Sequence, residues 1–362
     1  MGNILFAQDK INKDFQLEII KFINNNNLGK NIMISPLSIY HILSLTSNGA
    51  ANTTMVEMLQ LLGHKNKIDL NKTNSEISKA ISNLKSVKIA NAIFTKFKPE
   101  SAFMKLIEGY KSTIDELISA NQVNSWCSKA TNNTINKIVD DINDVLMILI
   151  NAIYFKGNWE KKFDAKLTDK LPFYNFNKEE KITDFMHMNN NFDYFEDENV
   201  QAIQINYSED NLKALIILPK GEKDINNYIK IFNKKIYENI IKGLFNQKIN
   251  LSLPKFEIKY EEELNEILMS MGMKEAFGSA DFSIMKKEKD IHISKVIHKT
   301  FIKVDEEGTV AAAVTAVVMK ARMKMMIRVN RMMVNHPFVF IIRSHNLPLE
   351  HDILFFTKVE AL

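Results

Sequence analysis

Apolar residues recur at helical spacing through the first part of the chain. Phe15, Ile19, Phe22 and Ile23 fall on one stripe, which predicts a helix running into the polar break at 24–27. Ser35-Pro36, a capping residue followed by proline in the first turn, predicts the start of a second helix carrying Ile39, Ile42 and Leu43. A third runs from Thr53 through Met55, Met58 and Leu61 and stops at Gly63. Helical spacing also covers 74–83 and 101–138. Strand-like segments interleave and then dominate: 88–97, 145–155, 200–205, 212–218, 249–259, 291–304, 338–343 and 351–359. The run at 145–155 is apolar but for Asn151, as a strand covered on both faces is. No break rich in Pro, Gly or Ser divides the chain, and no repeat period is visible. The pattern predicts a single α+β domain over 1–362, built on large sheets.

One segment departs from this pattern. Between 308 and 349 there is no Asp or Glu. Its first part, 308–319, is small and apolar; it then turns basic and methionine-rich, with Lys320, Arg322, Lys324, Arg328 and Arg331. As helix it reads as a buried Ala/Val segment followed by a basic amphipathic one suited to a membrane surface or a helix-binding partner. As extended chain it places Thr309, Ala311, Ala313, Thr315, Val317 and Met319 on one face, all modest in size. Such a strand enters a sheet without displacing bulky neighbours. The preceding Asp305-Glu306-Glu307-Gly308 then serves as hinge, because glycine turns freely.

Composition removes several classes. The 362 residues are 46% apolar and 25% charged, which suits a soluble globular chain. Cys127 is the one cysteine, so neither an internal disulfide nor a cysteine-based zinc site can form. Forty-seven basic against 43 acidic residues leave +4, too little to make nucleic acid a default partner. No apolar run reaches the ~18–20 residues of a membrane span. The N-terminus lacks a basic region and a long apolar core, so no secretory signal is expected; Gly2 is followed by Phe6 where N-myristoylation wants Ser or Thr. Cytoplasm is the expected compartment. The sequence has no Gly-x-Ser-x-Gly, phosphate-loop or His-Glu-x-x-His motif. His292 and His298 lack a third ligand, so no metal is expected. Cys127 beside Trp126 reads as a buried structural thiol, and Lys65, Lys67, Lys72 and Lys79, interrupted by Asp69 and Glu76, as a solvated helix face. Asn52, Asn71, Asn132, Asn206 and Asn250 begin glycosylation sequons and are expected to be unmodified in a cytoplasmic protein.

Glu306-Glu307-Gly308-Thr309-Val310-Ala311-Ala312-Ala313 resembles the hinge of an inhibitory serpin, and Val334-Asn335-His336-Pro337-Phe338-Val339-Phe340 resembles that family's signature beyond its reactive loop. The resemblance extends over nearly the whole chain. It includes Asn31 to Ser38, Ala90-Asn91-Ala92-Ile93-Phe94, Asn124-Ser125-Trp126, Asn151 to Trp159, Leu253-Pro254-Lys255-Phe256 and Ile297-His298-Lys299. Thr357 stands where the family usually has glycine, and the stretch from Arg322 to Pro337 is longer than is common.

The resemblance implies a serpin fold: three β-sheets, eight to nine helices and an exposed reactive-centre loop at about 306–334. It implies an inhibitor without cofactor or metal. A protease attacks the loop, forms an acyl-enzyme and is carried across the molecule as the cut loop enters the main sheet. Glu306, Glu307, Gly308, Thr309, Ala311, Ala312 and Ala313 would be the hinge, Arg322 and Met323 the bait bond, with Lys320, Lys324 and Arg328 as other candidates. Arginine suits the acidic pocket of trypsin-like serine proteases, the expected partners. The seventeen residues from Glu306 to Arg322 span roughly 55 Å when extended, about the height of a large sheet. Ser35, Asn151 and His298 match the family's shutter, where hydrogen bonds hold the central strands; Trp159 and Glu306 match its breach, where the hinge enters. A monomer is implied, capable of forming loop–sheet polymers, without nucleic-acid, membrane or glycosaminoglycan binding. Release from cells by an unconventional route stays open. So do two other readings: a cross-class inhibitor of papain-like cysteine proteases, and a non-inhibitory serpin with a chaperone or binding role.

Overall fold

The computed structural model describes residues 14–82, 84–209, 211–221, 224–288, 291–309 and 330–362. Among them are nine α-helices and two hydrogen-bonded strand networks. The first three predicted helices form as Phe15–Asn26, Pro36–Ser47 and Asn52–Leu61. Asp14 caps the first by accepting from the Leu17 N–H, and Ser35 caps the second by accepting from the Ser38 N–H. Every residue of Pro36–Ser47 is buried, which explains its apolar run with little amphipathic pattern: it is a core helix covered all round. The fourth helix, Lys67–Ile81, begins earlier than its apolar spacing suggested.

The stretch 101–138 is not continuous helix. It breaks into Ser101–Leu106, a strand Thr113–Glu116 and a helix Ala120–Ala130. Lys111 turns the chain at φ 52°, and Thr113–Glu116 then pairs in parallel with Ala92, Ile93, Phe94 and Thr95.

The central sheet has seven strands. Met147–Phe155, buried at all nine positions, lies between Val87–Thr95, antiparallel, and Lys295–Val304, parallel. Phe256–Glu263 covers the other edge of Lys295–Val304. One face of this sheet rests on the main core and on helix Pro36–Ser47. The other face carries a smaller cluster in which Ile148 and Ile150 meet Val123 and Cys127 of the helix Ala120–Ala130.

The second network has nine strands, joined through the seventeen-residue strand Glu180–Glu196. Its first residues pair with Asp169–Tyr174, its last with Val200–Asn206, and Phe245–Pro254 runs along its middle. Leu212–Pro219, Phe338–Ser344, Ile353–Val359 and Ile32–Ile34 continue one side, while Asn330–Met333 closes the other. The change of neighbours along Glu180–Glu196 makes this network two sheets sharing a strand, which with the central sheet gives the three expected. The single strand read at 249–259 is two, Phe245–Pro254 and Phe256–Glu263, which belong to different networks and meet at Lys255.

Candidate functional site

The two central strands pair directly from Lys295↔Ile148 to Phe301↔Tyr154. Beyond Phe301 they separate, and the notch between them is filled by Gly308–Thr309. This pair bonds to Val304 on one side and to Gly157–Asn158 on the other, antiparallel to both. The turn Asp305–Glu307 therefore reverses the chain and aims it back down between the central strands. Gly308 has no substitute here: a Cβ would meet the Gly157 carbonyl oxygen and lie 2.7 Å from Asn158 Cα.

Aromatic and charged side chains hold this turn. Trp159, fully buried, donates from Nε1 to the Asp305 carbonyl at 2.9 Å, and its N–H donates to the Glu307 carbonyl at 3.0 Å. Its ring stacks on Tyr207 with centroids 4.6 Å apart, and the Tyr207 hydroxyl meets Thr309 Oγ1 at 2.8 Å. Glu306 is gripped by Lys255 Nζ at 2.9 Å and by the Thr168 hydroxyl at 2.7 Å. Burial pushes the Glu306 carboxyl up, but the hydrogen bonds from Lys255 and Thr168 outweigh it and hold the group below the usual carboxylate range. Glu307 pairs with Lys162. Trp159 and Glu306 thus come together at this turn, and Tyr207, Thr168 and Lys255 join them.

Lower in the sheet a polar row crosses three strands. Asn91, Asn151 and His298 are register neighbours on Val87–Thr95, Met147–Phe155 and Lys295–Val304. The Ser35 N–H donates to His298 Nε2 at 3.1 Å, which fixes the proton on Nδ1; Nδ1–H then donates to Asn151 Oδ1 at 2.6 Å. Asn151 Nδ2 donates to Ser38 Oγ and Asn91 Oδ1, and Asn91 Nδ2 donates to His41 Nδ1 at 3.2 Å. Burial lowers His298 to about 3 and His41 to about 4, so both are neutral near pH 7. Of the residues expected at the shutter, Ser35, Asn151 and His298 meet in this row. Ser35 contributes its backbone N–H, because its hydroxyl is spent on the helix cap, and Ser38 supplies the hydroxyl that touches Asn151. Ser38, Asn91 and His41 were not assigned to this row from the sequence, because their meeting depends on strand register and helix docking, not on spacing.

Arg322, Met323, Ala311, Ala312 and Ala313 lie outside the described residues. His292 lies outside strand Lys295–Val304, and no group of three or more potential metal ligands occurs among the described residues. Burial pushes the Cys127 thiol up to about 12, as a structural thiol requires. Lys67 does not lie on a solvated face. Its Nζ donates to the carbonyls of Asn48 and Ala50 at 3.0 and 2.7 Å, and burial lowers it to about 8.

The site is thus a sheet crossed by a polar row, with Gly308–Thr309 wedged into the notch at its upper end. A family model described as Serpin (serine protease inhibitor) matches residues 10–361, and the chain belongs to the serpin family. A leukocyte elastase inhibitor of Xenopus tropicalis is 32% identical, the match covering 96% of this chain and 97% of the relative. The native structure of tengpin, a thermophilic serpin, superposes with TM-score 0.88 at 32% identity, covering 98% of this chain and 94% of the other. Human thyroxine-binding globulin superposes with TM-score 0.86 at 26% identity, covering 97% of each.

Proposed function

We propose that this chain inhibits serine proteases by inserting its cut loop as a new strand between Met147–Phe155 and Lys295–Val304. The observation that carries this reading is the placement of Gly308–Thr309, already paired in the notch and directed antiparallel to both flanking strands. A strand continuing from there replaces one parallel ladder by two antiparallel ones, the more stable arrangement per residue. It adds about a dozen ladder bonds, each worth roughly 1 kcal/mol net, and buries an Ala/Val face. A gain of that size rivals an ordinary domain stability of ~5–15 kcal/mol. Small residues at Ala311, Ala312 and Ala313 offer no bulk or charge to slow entry.

Arg322 is the bait residue in this proposal, with Met323 following it. Elastase has a small specificity pocket, whereas arginine fits the acidic pocket of trypsin-like enzymes; the target class is therefore trypsin-like, although the Xenopus relative is named for elastase. The test is to mix the protein with trypsin and, separately, a papain-like cathepsin, then run denaturing gels. The proposal expects a covalent band of summed mass with trypsin and a released peptide beginning at Met323. Clean cleavage with active trypsin left over supports a non-inhibitory serpin instead. A covalent band with the cathepsin alone supports the cross-class reading, and a peptide beginning elsewhere removes Arg322.

A further inference from the structure

Beside the hinge, on the second strand network, three residues far apart in sequence form a hydrogen-bonded chain. Ser252 and His187 are register partners on Phe245–Pro254 and Glu180–Glu196. Ser252 Oγ lies 2.9 Å from His187 Nδ1, and His187 Nε2 lies 2.8 Å from Asp169 Oδ1. An ionised carboxylate only accepts, so Asp169 requires the proton on Nε2 of the neutral ring. That leaves the Nδ1 lone pair facing the serine, and the Ser252 hydroxyl donates its proton to it. This is the order of roles that activates a serine: a nucleophile, a base that holds its proton, and a carboxylate that fixes the base.

The chain opens into a cleft of about 330 Å³, which Leu167, Asn189, Asn250 and Arg331 line together with His187 and Ser252. Ser252 is itself only 5% exposed, so a reacting group reaches it through this cleft and not from bulk solvent. The cleft is large enough for a small organic acid derivative. The side-chain amides of Asn189 and Asn250, also register partners, are the donors available to a developing oxyanion, and the Arg331 guanidinium favours an acidic ligand.

We propose that Ser252 is an acyl-accepting nucleophile that reacts with small carboxylic esters, independently of the reactive loop. Ser252 Oγ attacks the ester carbonyl carbon while its proton passes to His187 Nδ1. The bond from carbon to the leaving oxygen breaks, and the departing alkoxide takes that proton as the alcohol. Water, deprotonated by His187, then attacks the acyl-serine, releases the carboxylic acid and restores the hydroxyl. Asp169, whose side chain is 60% exposed, is a positioning residue that acts through the imidazole.

The probe is p-nitrophenyl acetate, read by p-nitrophenolate release and by peptide mass mapping of early-quenched samples. The expected result is an acetyl group on Ser252 in the wild type and none at that position in Ser252→Ala. Asp169→Asn should slow acetylation of Ser252 by about tenfold or more. The same variant should move the His187 ring ¹⁵N shifts away from the Nε2–H tautomer, which a merely structural carboxylate would not do. Covalent complex formation with trypsin by each variant confirms that it is folded. Acetylation confined to lysines, or an Asp169→Asn variant that acetylates at the wild-type rate with an unchanged tautomer, overturns the proposal.

Discussion

His298 carries more of the closed sheet than its single side chain suggests. Both ring nitrogens are used, one toward the Ser35 N–H and one toward Asn151 Oδ1, and the ring has no solvent contact. His298→Ala leaves two buried groups unpaired at about 1–3 kcal/mol each. The expected outcome is spontaneous conversion to loop-inserted or polymeric forms on native gels; a gel showing only active monomer contradicts the shutter assignment. The same ring makes the sheet acid-sensitive. Its folded value, lowered by burial from 6.5 to about 3, means the neutral ring contributes its full stability above pH 6.5 and loses it as pH falls toward 3; His41, lowered to about 4, adds in the same sense. Hydrogen exchange in Lys295–Val304, corrected for intrinsic rates, should quicken between pH 6.5 and 4, and protection constant over that range argues against the row. At this scale Asn151 and His298 were legible because they sit in recognisable segments. His41, Ser38 and Tyr207 were not, because their partners lie 50 or more residues away and a polar residue does not announce its cross-strand neighbour.

In the proposed mechanism, the turn 305–309 is the element on which entry depends. Gly308→Ala forces a methyl group into the Gly157 carbonyl, an overpacking worth about 1–3 kcal/mol, and should expel Gly308–Thr309 from the notch. Thr309→Arg puts a charge where a fully buried hydroxyl now meets Tyr207. Both variants should raise the amount of inhibitor consumed per trypsin blocked, seen as more cleaved product and less covalent complex on a denaturing gel. Unchanged stoichiometry in both would mean that entry does not begin at this turn. The hinge could be read from its small residues and lone glycine. Two strands of the second network could not: Asp169–Tyr174 is largely exposed, and Glu180–Glu196 mixes an asparagine run with its apolar positions and changes neighbours along its length. Such a strand lacks the clean alternation that marks a half-buried one. The place of Lys255 was hidden for a related reason, since it joins two strands of different sheets inside what read as one strand.

For the molecule as a whole, the proposed loop insertion requires that the newly folded arrangement not be the lowest in free energy. Two central strands meet through a parallel ladder, held at mid-height by a polar row and wedged at the top by the hinge. The α+β plan was legible because Met147–Phe155 and the early helices carry strong patterns. Stored energy of the kind the proposal requires is not legible in this way, because it belongs to the difference between two folds of one sequence. Thermal melting of the intact protein against the same protein nicked in its loop measures that difference directly. Loop insertion predicts that the nicked form melts tens of degrees higher, since ~10 kcal/mol or more of added strand pairing moves the transition by that much. Equal melting temperatures for the two forms would contradict it.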